Sequence, residues 1–577
     1  MFLGDVFYAL IALSYPRASK LNDMNSMKRQ TISIFAIVIL TFSFINQTQA
    51  SDEYPPASVG SGFSEPYSTP EWSLSAIRGY KPLAPGKIGQ GEHPLCASAK
   101  DAHCADSTSL LADLVVPPCY SPTDRFCIEG LEMSIEGSPV VAGSLLRELK
   151  TASTPADAAS GLPKGGSASI WTTPTIHQGG SNNYAVVVTG GYSKSKEQSQ
   201  FDAFRFSASV YPVTLKSGTY CPYEIYEVID QFGEANTSSR LVGNNCSNTT
   251  FADKCILTET GTCVVPAEFA PNTRVSLSLR MDNKVTGWLF GRMKDVDMKS
   301  TALDNKNNLL RVEATSLNLM SAKAWVTKKE APNYKLLWED ISTKWFLTKA
   351  AFDEWVASPY TQWGDMIPVG SFKQFAMWEP LLKPEAKDNW RWNFAASNNN
   401  IANSPKCLDE SGRANIVGLV TTNAPIYDGG APRFNDGFLD YKLAGLHNKA
   451  DGSLFIGSYD LVIRSTFARC LYGFTSAPLQ ATVSVMSADG TTSNVATEVV
   501  QERDGWISLE ARNFTFSTPT ARVKFSQTAT ATNKGTTSNE VKNPVTAKKI
   551  TITCTKGKLI KKISAVNPKC PAGYKKK

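Results

Sequence analysis

Alternation of apolar and polar positions dominates two long stretches of the chain. Tyr184 to Thr189, Phe204 to Val213, Arg274 to Leu279 and Lys284 to Phe290 combine β-branched and aromatic residues with a period near two, and turn residues separate them. This pattern predicts a β-sandwich-like domain over 135–322. Strand signals return at Ile416 to Thr422, Leu439 to Leu446, Tyr459 to Ser465, Thr482 to Met486, Trp506 to Ala511 and Ala521 to Phe525. Val483 and Val485 alternate with Thr482 and Ser484, and Val523 and Phe525 with Arg522 and Lys524, so each strand has one wet and one dry face. With the hairpin signals Asp489-Gly490 and Asp504-Gly505, a second sandwich-like domain is expected over 401–526. Between the two, over 323–400, Trp338, Ile341, Trp345, Phe352 and Val356 recur at intervals of three, four and seven, the period of a helix with one apolar face. The expected fold class is mainly β and multi-domain: two disulfide-stapled sandwich-like domains, a Trp-rich partly helical segment between them, and a small C-terminal hairpin module.

The N-terminal region follows a different pattern. Lys28 and Arg29 precede an apolar run from Ile32 to Phe44, and Thr48-Gln49-Ala50 offers small residues where a signal peptidase cuts. Residues 1–50 therefore read as an extension plus a secretory signal cleaved before Ser51, with Met1, Met24 and Met27 as alternative starts. The run is shorter than the roughly 20 residues of a membrane-spanning helix, so no transmembrane span is expected after cleavage; a retained anchor is the alternative. Residues 51–91, rich in Pro, Ser and Gly, form an extended lead-in, and 92–134 a Cys-rich loop segment.

All twelve cysteines, Cys96, Cys104, Cys119, Cys127, Cys221, Cys246, Cys255, Cys263, Cys407, Cys470, Cys554 and Cys570, follow the expected cleavage site. An even number in an oxidising exterior points to disulfides. Cys96/Cys104, Cys119/Cys127 and Cys255/Cys263 share one spacing, which suits clips across short loops, and Cys407 with Cys470 could staple the opening strands of the second sandwich. Cys554 and Cys570 stand far from every other cysteine and form the most secure pair. Connectivity elsewhere stays open.

Charge is distributed unevenly. Of the formal +7, residues 534–577 hold +11, with Glu540 as their one acid, and the first fifty hold +2; residues 51–533 are left at −6. Residues 527–548 are threonine-rich and read as a linker. In 549–577, Ile550, Ile552 and Cys554 alternate with threonines, and the chain turns back at Gly557 into a cysteine-stapled hairpin. Lys556, Lys558, Lys561, Lys562, Lys569, Lys575, Lys576 and Lys577 are the expected anchoring residues, with an anionic cell-envelope polymer or lipid headgroups as partner. Tyr574 is the one aromatic residue among them, which argues against nucleic acid.

Linear catalytic signatures are missing. There is no His-Glu-x-x-His, Gly-x-Ser-x-Gly or phosphate-loop motif. His93, Cys96, His103 and Cys104 superficially offer four zinc ligands, but exported cysteines oxidise, so neither a metal nor a cofactor is expected. Paired glycosidase carboxylates leave no linear trace, and Glu339-Asp340 and Asp353-Glu354 fit a solvated helix face. Trp363, Trp378, Trp390 and Trp392, outside the helical period, are candidates for a glycan platform.

Thr551 to Lys558, then Asn567 to Lys577 with its Lys-Cys-Pro-Ala-Gly-Tyr-Lys-Lys-Lys ending, resemble a C-terminal tail of uncharacterised exported actinobacterial cell-surface proteins. Ala468 to Phe474, Asp504 to Trp506 and Asn513 to Ser517 look like a β-domain that accompanies that tail, and Gly287 to Arg292, Val420 to Asn423 and Tyr427 are similar to stretches of the same proteins. The resemblance implies a bacterial envelope setting and assigns no catalytic residue. The resulting expectation is an exported, non-enzymatic protein retained at the cell surface. A secreted glycan-binding or glycan-hydrolysing protein using the Trp-rich region is the alternative.

Overall fold

The computed structural model describes residues 58–67, 73–82, 91–136, 138–229, 235–243, 246, 254–327, 362–397, 407, 416–475, 479–486, 492–494, 498–516, 520–527, 550–556, 559–565 and 574–576. The signal segment, the helix expected from Trp338 to Val356 and residues 528–548 of the linker lie outside them. Within the described residues the chain is mainly β, with short helices at Phe372–Trp378 and Ser465–Tyr472.

One sheet of fifteen strands organises the molecule. Its path begins at Leu95–Cys96, Ala76–Tyr80, Ser109–Val115, Asn183–Ser195 and Asp202–Ser217. It continues through Asn393–Ser397, Gly287–Arg292, Ile416–Thr422, Ile456–Arg464 and Trp506–Thr515 to the edge strand Glu498–Arg503. Both regions expected to be sandwiches thus contribute to a common sheet. Gly287–Arg292 sits at the junction, antiparallel to Asn393–Ser397 and parallel to Ile416–Thr422. The boundaries expected at 322 and 401 do not interrupt these hydrogen bonds. Periodicity reveals which face of a strand is dry but not which strand lies beside it.

Two smaller sheets cover the shared one. Lys294–Ala302, Asn307–Thr315, Thr273–Asp282, Cys127–Ile135 and Val141–Ala142 form the first; Phe438–Ala444, Thr520–Gln527 and Leu479–Met486 form the body of the second. Alternate residues of the central strands enter different cores. Leu289, Leu419 and Val462 join the first core, while Trp288, Val420, Leu461 and Ile463 join the second. The covering sheets therefore lie on opposite faces, and the middle strands are dry on both. That is why Ile416–Thr422 is buried at every position and reads as an almost unbroken apolar run. Gly418 is required where Trp288 crosses it, because a Cβ there would collide with the indole.

Turn chemistry fits the strands it joins. Asp504 and Gly505 have φ of 52° and 80°, the left-handed pair of a two-residue hairpin between Glu498–Arg503 and Trp506–Thr515. The helix Ser465–Tyr472 ends at Gly473, whose φ of 66° closes its last carbonyls.

A further small sheet places Ser58–Phe63 between Ala322–Thr327 and Gln362–Asp365, antiparallel to the first and parallel to the second. All six residues of this strand are buried. Beyond it the chain is gripped by two buried arginines. Arg292, 1% exposed, donates through Nε to Glu65 Oε2 at 3.0 Å, through Nη1 to the carbonyls of Thr422 and Ala424, and through Nη2 to that of Pro425 at 3.1 Å. Its guanidinium lies 4.1 Å from the ring centre of Tyr427. Arg391 stands 3.7 Å from the ring centre of Tyr67 and donates to the Tyr67 hydroxyl and to the Glu65 carbonyl. The Tyr67 hydroxyl donates in turn to Glu268 at 2.8 Å.

Removing one partner from such a network leaves buried polar groups unmatched. Arg292→Met is expected to lower stability by about 3–5 kcal/mol, read as a drop in the urea midpoint. Arg292→Lys should recover only part, since an ammonium cannot reproduce the planar fork that reaches a carboxylate and three carbonyls together.

Candidate functional site

The tail forms three strands rather than the expected two. Ile550–Lys556 is central, with Leu559–Ala565 on one side and Lys575–Lys576 on the other. Cys554 pairs in register with Lys561 and Lys576, Thr553 with Lys562, and Thr555 with Lys575. Adjacent strands lie about 4.8 Å apart, so the two lysine-bearing outer strands stand about 9.6 Å from each other, close to the Debye length of roughly 8–10 Å. No acidic side chain follows Glu540 to balance them. Like charges gathered at these positions repel one another. Lys558, Lys569, Lys577 and Cys570, and with Cys570 the expected Cys554–Cys570 bond, lie outside the described residues.

Among the described residues, five disulfides join Cys96 to Cys104, Cys119 to Cys127, Cys221 to Cys246, Cys255 to Cys263, and Cys407 to Cys470. The equally spaced cysteines pair as neighbours. Cys96 and Cys104 are bonded to each other and cannot serve zinc, and among the described residues no cluster suited to a metal occurs. The nearby histidines instead help dock the hairpin formed by Tyr223–Ile229 and Ala235–Leu241. The His93 N–H donates to the Ala235 carbonyl at 2.7 Å, and Thr237 Oγ1 donates to the His93 carbonyl at 2.6 Å. His103 Nε2 lies 2.8 Å from Glu227 Oε2, which also accepts the Leu95 N–H at 2.9 Å. Cys221–Cys246 closes the base of this hairpin, a pairing that spacing left open.

Two of the four tryptophans expected to form a glycan platform are buried in the cores. Trp378 is 2% exposed and belongs to the second core, whereas Trp392 is 1% exposed, belongs to the first, and donates its indole N–H to the Ala314 carbonyl at 3.1 Å. Neither can present a ring face to a sugar. Trp390 is half-buried against the first core, and the side chain of Trp363 is not among those described. These residues escape the helical period because Trp390 and Trp392 lie on or beside short strands and Trp378 ends a separate helix.

One buried ionisable pair that invites a catalytic reading joins two sheets. Asp460, 3% exposed, accepts the Asp295 N–H at 2.6 Å and pairs with Arg512, which also donates to the Asp295 carboxylate at 2.9 Å. Burial pushes the Asp460 carboxyl up to about 6, against the pull of Arg512. This network ties the shared sheet to the first covering sheet. A shallow depression of about 220 Å³ is lined by Lys100, Asp101, Lys194 and Lys196, among others. Lys100 is paired with Asp157, and the Asp101 carboxylate accepts the N–H groups of Ala97 and His103. Sequence reasoning missed the buried Arg292. Its signal is an arginine closing the otherwise apolar run Gly287 to Gly291.

Comparison with protein families, with curated proteins and with solved structures finds no match to this chain.

His177 provides a pH test of this packing. It is 3% exposed; its Nδ1 accepts the Gly179 N–H at 3.0 Å, and Nε2 lies 3.0 Å from the Val213 carbonyl. A neutral ring protonated on Nε2 satisfies both contacts, and burial holds the imidazole below its usual range. The unfolded chain then binds a proton more readily than the folded one. The stability associated with neutral His177 is complete above the unfolded value near 6.5 and falls as pH drops below it, by up to about 1.4 kcal/mol per pH unit. Urea midpoints measured from pH 7 to 5 should fall more steeply for the wild type than for His177→Gln.

Proposed function

We propose that this chain is an exported, non-enzymatic protein of the cell surface with a structural or binding role, held at the envelope by its basic C-terminal tail. The observation that carries this reading is the collection of lysine positions on the three-stranded tail unit, set against a body of opposite net charge. An anionic wall polymer or lipid headgroup attracts the tail and repels the acidic remainder, which orients the body away from the surface. Near such a surface each lysine contributes about 1 kcal/mol, so several acting together give retention that is firm but reversible.

The rest of the molecule suits such a role. Five disulfides clip its loops and its cores are dry, properties compatible with an oxidising exterior. Among the described residues, no helix is long and apolar enough to cross a membrane. Retention through the lysines of the tail is electrostatic, and salt screens it.

Washing producing cells with molar salt should release the full-length protein, and deleting residues 549–577 should send it to the medium without a salt step. Quantitative immunoblotting of cell and medium fractions reads both. Unchanged fractionation in both arms would remove the tail as the anchor.

A further inference from the structure

The strand Ser58–Phe63 is the first described element of the chain and one of its most completely enclosed. It fills a slot between Ala322–Thr327 and Gln362–Asp365, two strands from distant parts of the sequence. Without it these strands would face each other across about 9.5 Å, each with an unpaired row of N–H and carbonyl groups. The slot continues into a polar socket in which Arg292 and Arg391 receive Glu65 and Tyr67. An extended segment with a carboxylate at that position meets both parts.

The slot demands its occupant strongly, while the occupant's own side chains are poorly suited to apolar burial. Its sequence, Ser-Val-Gly-Ser-Gly-Phe, offers only Val59 and Phe63 to the second core. The hydroxyls of Ser58 and Ser61 are buried without a hydrogen-bond partner. Main-chain pairing and the arginine socket therefore supply most of the hold, and both are available in identical form in every other copy of the chain. Because the segment precedes all other described elements, it can leave without unthreading any of them. Cleavage before Ser51 would leave seven residues ahead of it.

We propose that Ser58–Tyr67 exchanges between copies, so that the N-terminal segment of one molecule fills the slot and socket of a second copy of this chain. The exchanged contacts are the same as the internal ones, so concentration rather than new chemistry decides the balance. At a cell surface, where a retained protein is crowded, this would link copies through strand addition.

Two single-cysteine variants test it. Ser61 pairs in register with Ala324, and both side chains are small and buried, so Ser61→Cys is placed in one batch and Ala324→Cys in another, differing in isotopic label. The batches are mixed, incubated under mild warming and oxidised. The proposal expects a covalent dimer in which a disulfide joins position 61 of one copy to position 324 of the other, identified by mass spectrometry. Its fraction should rise by up to about tenfold over a tenfold concentration step and fall when a synthetic peptide of residues 58–67 is added in excess. The double variant within one chain should form the same bond internally, showing that it folds and that the geometry permits the link. If that internal bond forms and no mixed dimer appears at any concentration, exchange does not occur. Successive antiparallel pairs alternate between two spacings, so Gly62→Cys with Lys323→Cys, the next pair in register, replaces the first should its internal bond not close.

Discussion

Where Gly287–Arg292 lies parallel to Ile416–Thr422, the backbone is dry on both faces, and each N–H and carbonyl must find its partner in the neighbouring strand. This junction ties the first and second halves of the chain into one sheet and sets the position of everything packed on either side. Residues that alternate along these strands reach different cores, so a slip of one residue would exchange Leu289 for Trp288 and disturb both. Parallel neighbours in an all-β protein need a long connection. Here it runs from Arg292 to Ile416 and builds much of the first covering sheet, the small sheet around Ser58–Phe63 and the helix Phe372–Trp378.

Arg292 closes that strand from inside. An ion pair this deeply buried contributes little net stability against a hydrophobic alternative, but it is demanding about geometry. Its guanidinium meets Glu65, Tyr427 and the carbonyls after Thr422 together, so the lead-in, the junction strand and the second half must all be in place before any one is satisfied. The contacts of this buried charge couple three separate segments of the chain. The same holds for Asp460 and Arg512, which join the shared sheet to its first cover. The disulfides occupy complementary places. Most clip short loops or the base of the half-exposed hairpin Tyr223–Leu241, where burial alone is thin.

Strand positions were legible in the sequence where apolar runs or clear alternation marked them. Ser109–Val115 and nearly all of Cys127–Ile135 are strands within 92–134, the stretch expected to be a Cys-rich loop segment, where prolines and cysteines masked the alternation. The run from Ile416 to Thr422 coincides with the observed strand, and Trp506, Leu439 and Tyr459 mark others within a few residues. The short equal spacings were legible because a sequence separation of 8 between partners suits a clip across one loop, and Cys96–Cys104, Cys119–Cys127 and Cys255–Cys263 do pair so. The tryptophans misled for a physical reason: a large ring outside a helical period is as readily a core residue of an irregular segment as an exposed platform, and Trp378 and Trp392 are core. Of the tail, the two alternating strands were legible. The third was not, because two lysines carry no periodicity; only pairing with Cys554 and Thr555 makes them a strand.

Local chemistry, then, determined which segments extend, where Asp504-Gly505 turns, which cysteines clip short loops and where positive charge accumulates, because each depends on residues near in sequence. Tertiary structure alone decided that the two sandwich regions share a sheet, that Ser58–Phe63 fills a slot formed by strands far along the chain, and that Arg292 lies buried against Glu65. Those outcomes depend on hydrogen bonds and packing between residues hundreds of positions apart, and backbone pairing carries no side-chain signature by which a strand could announce its neighbour.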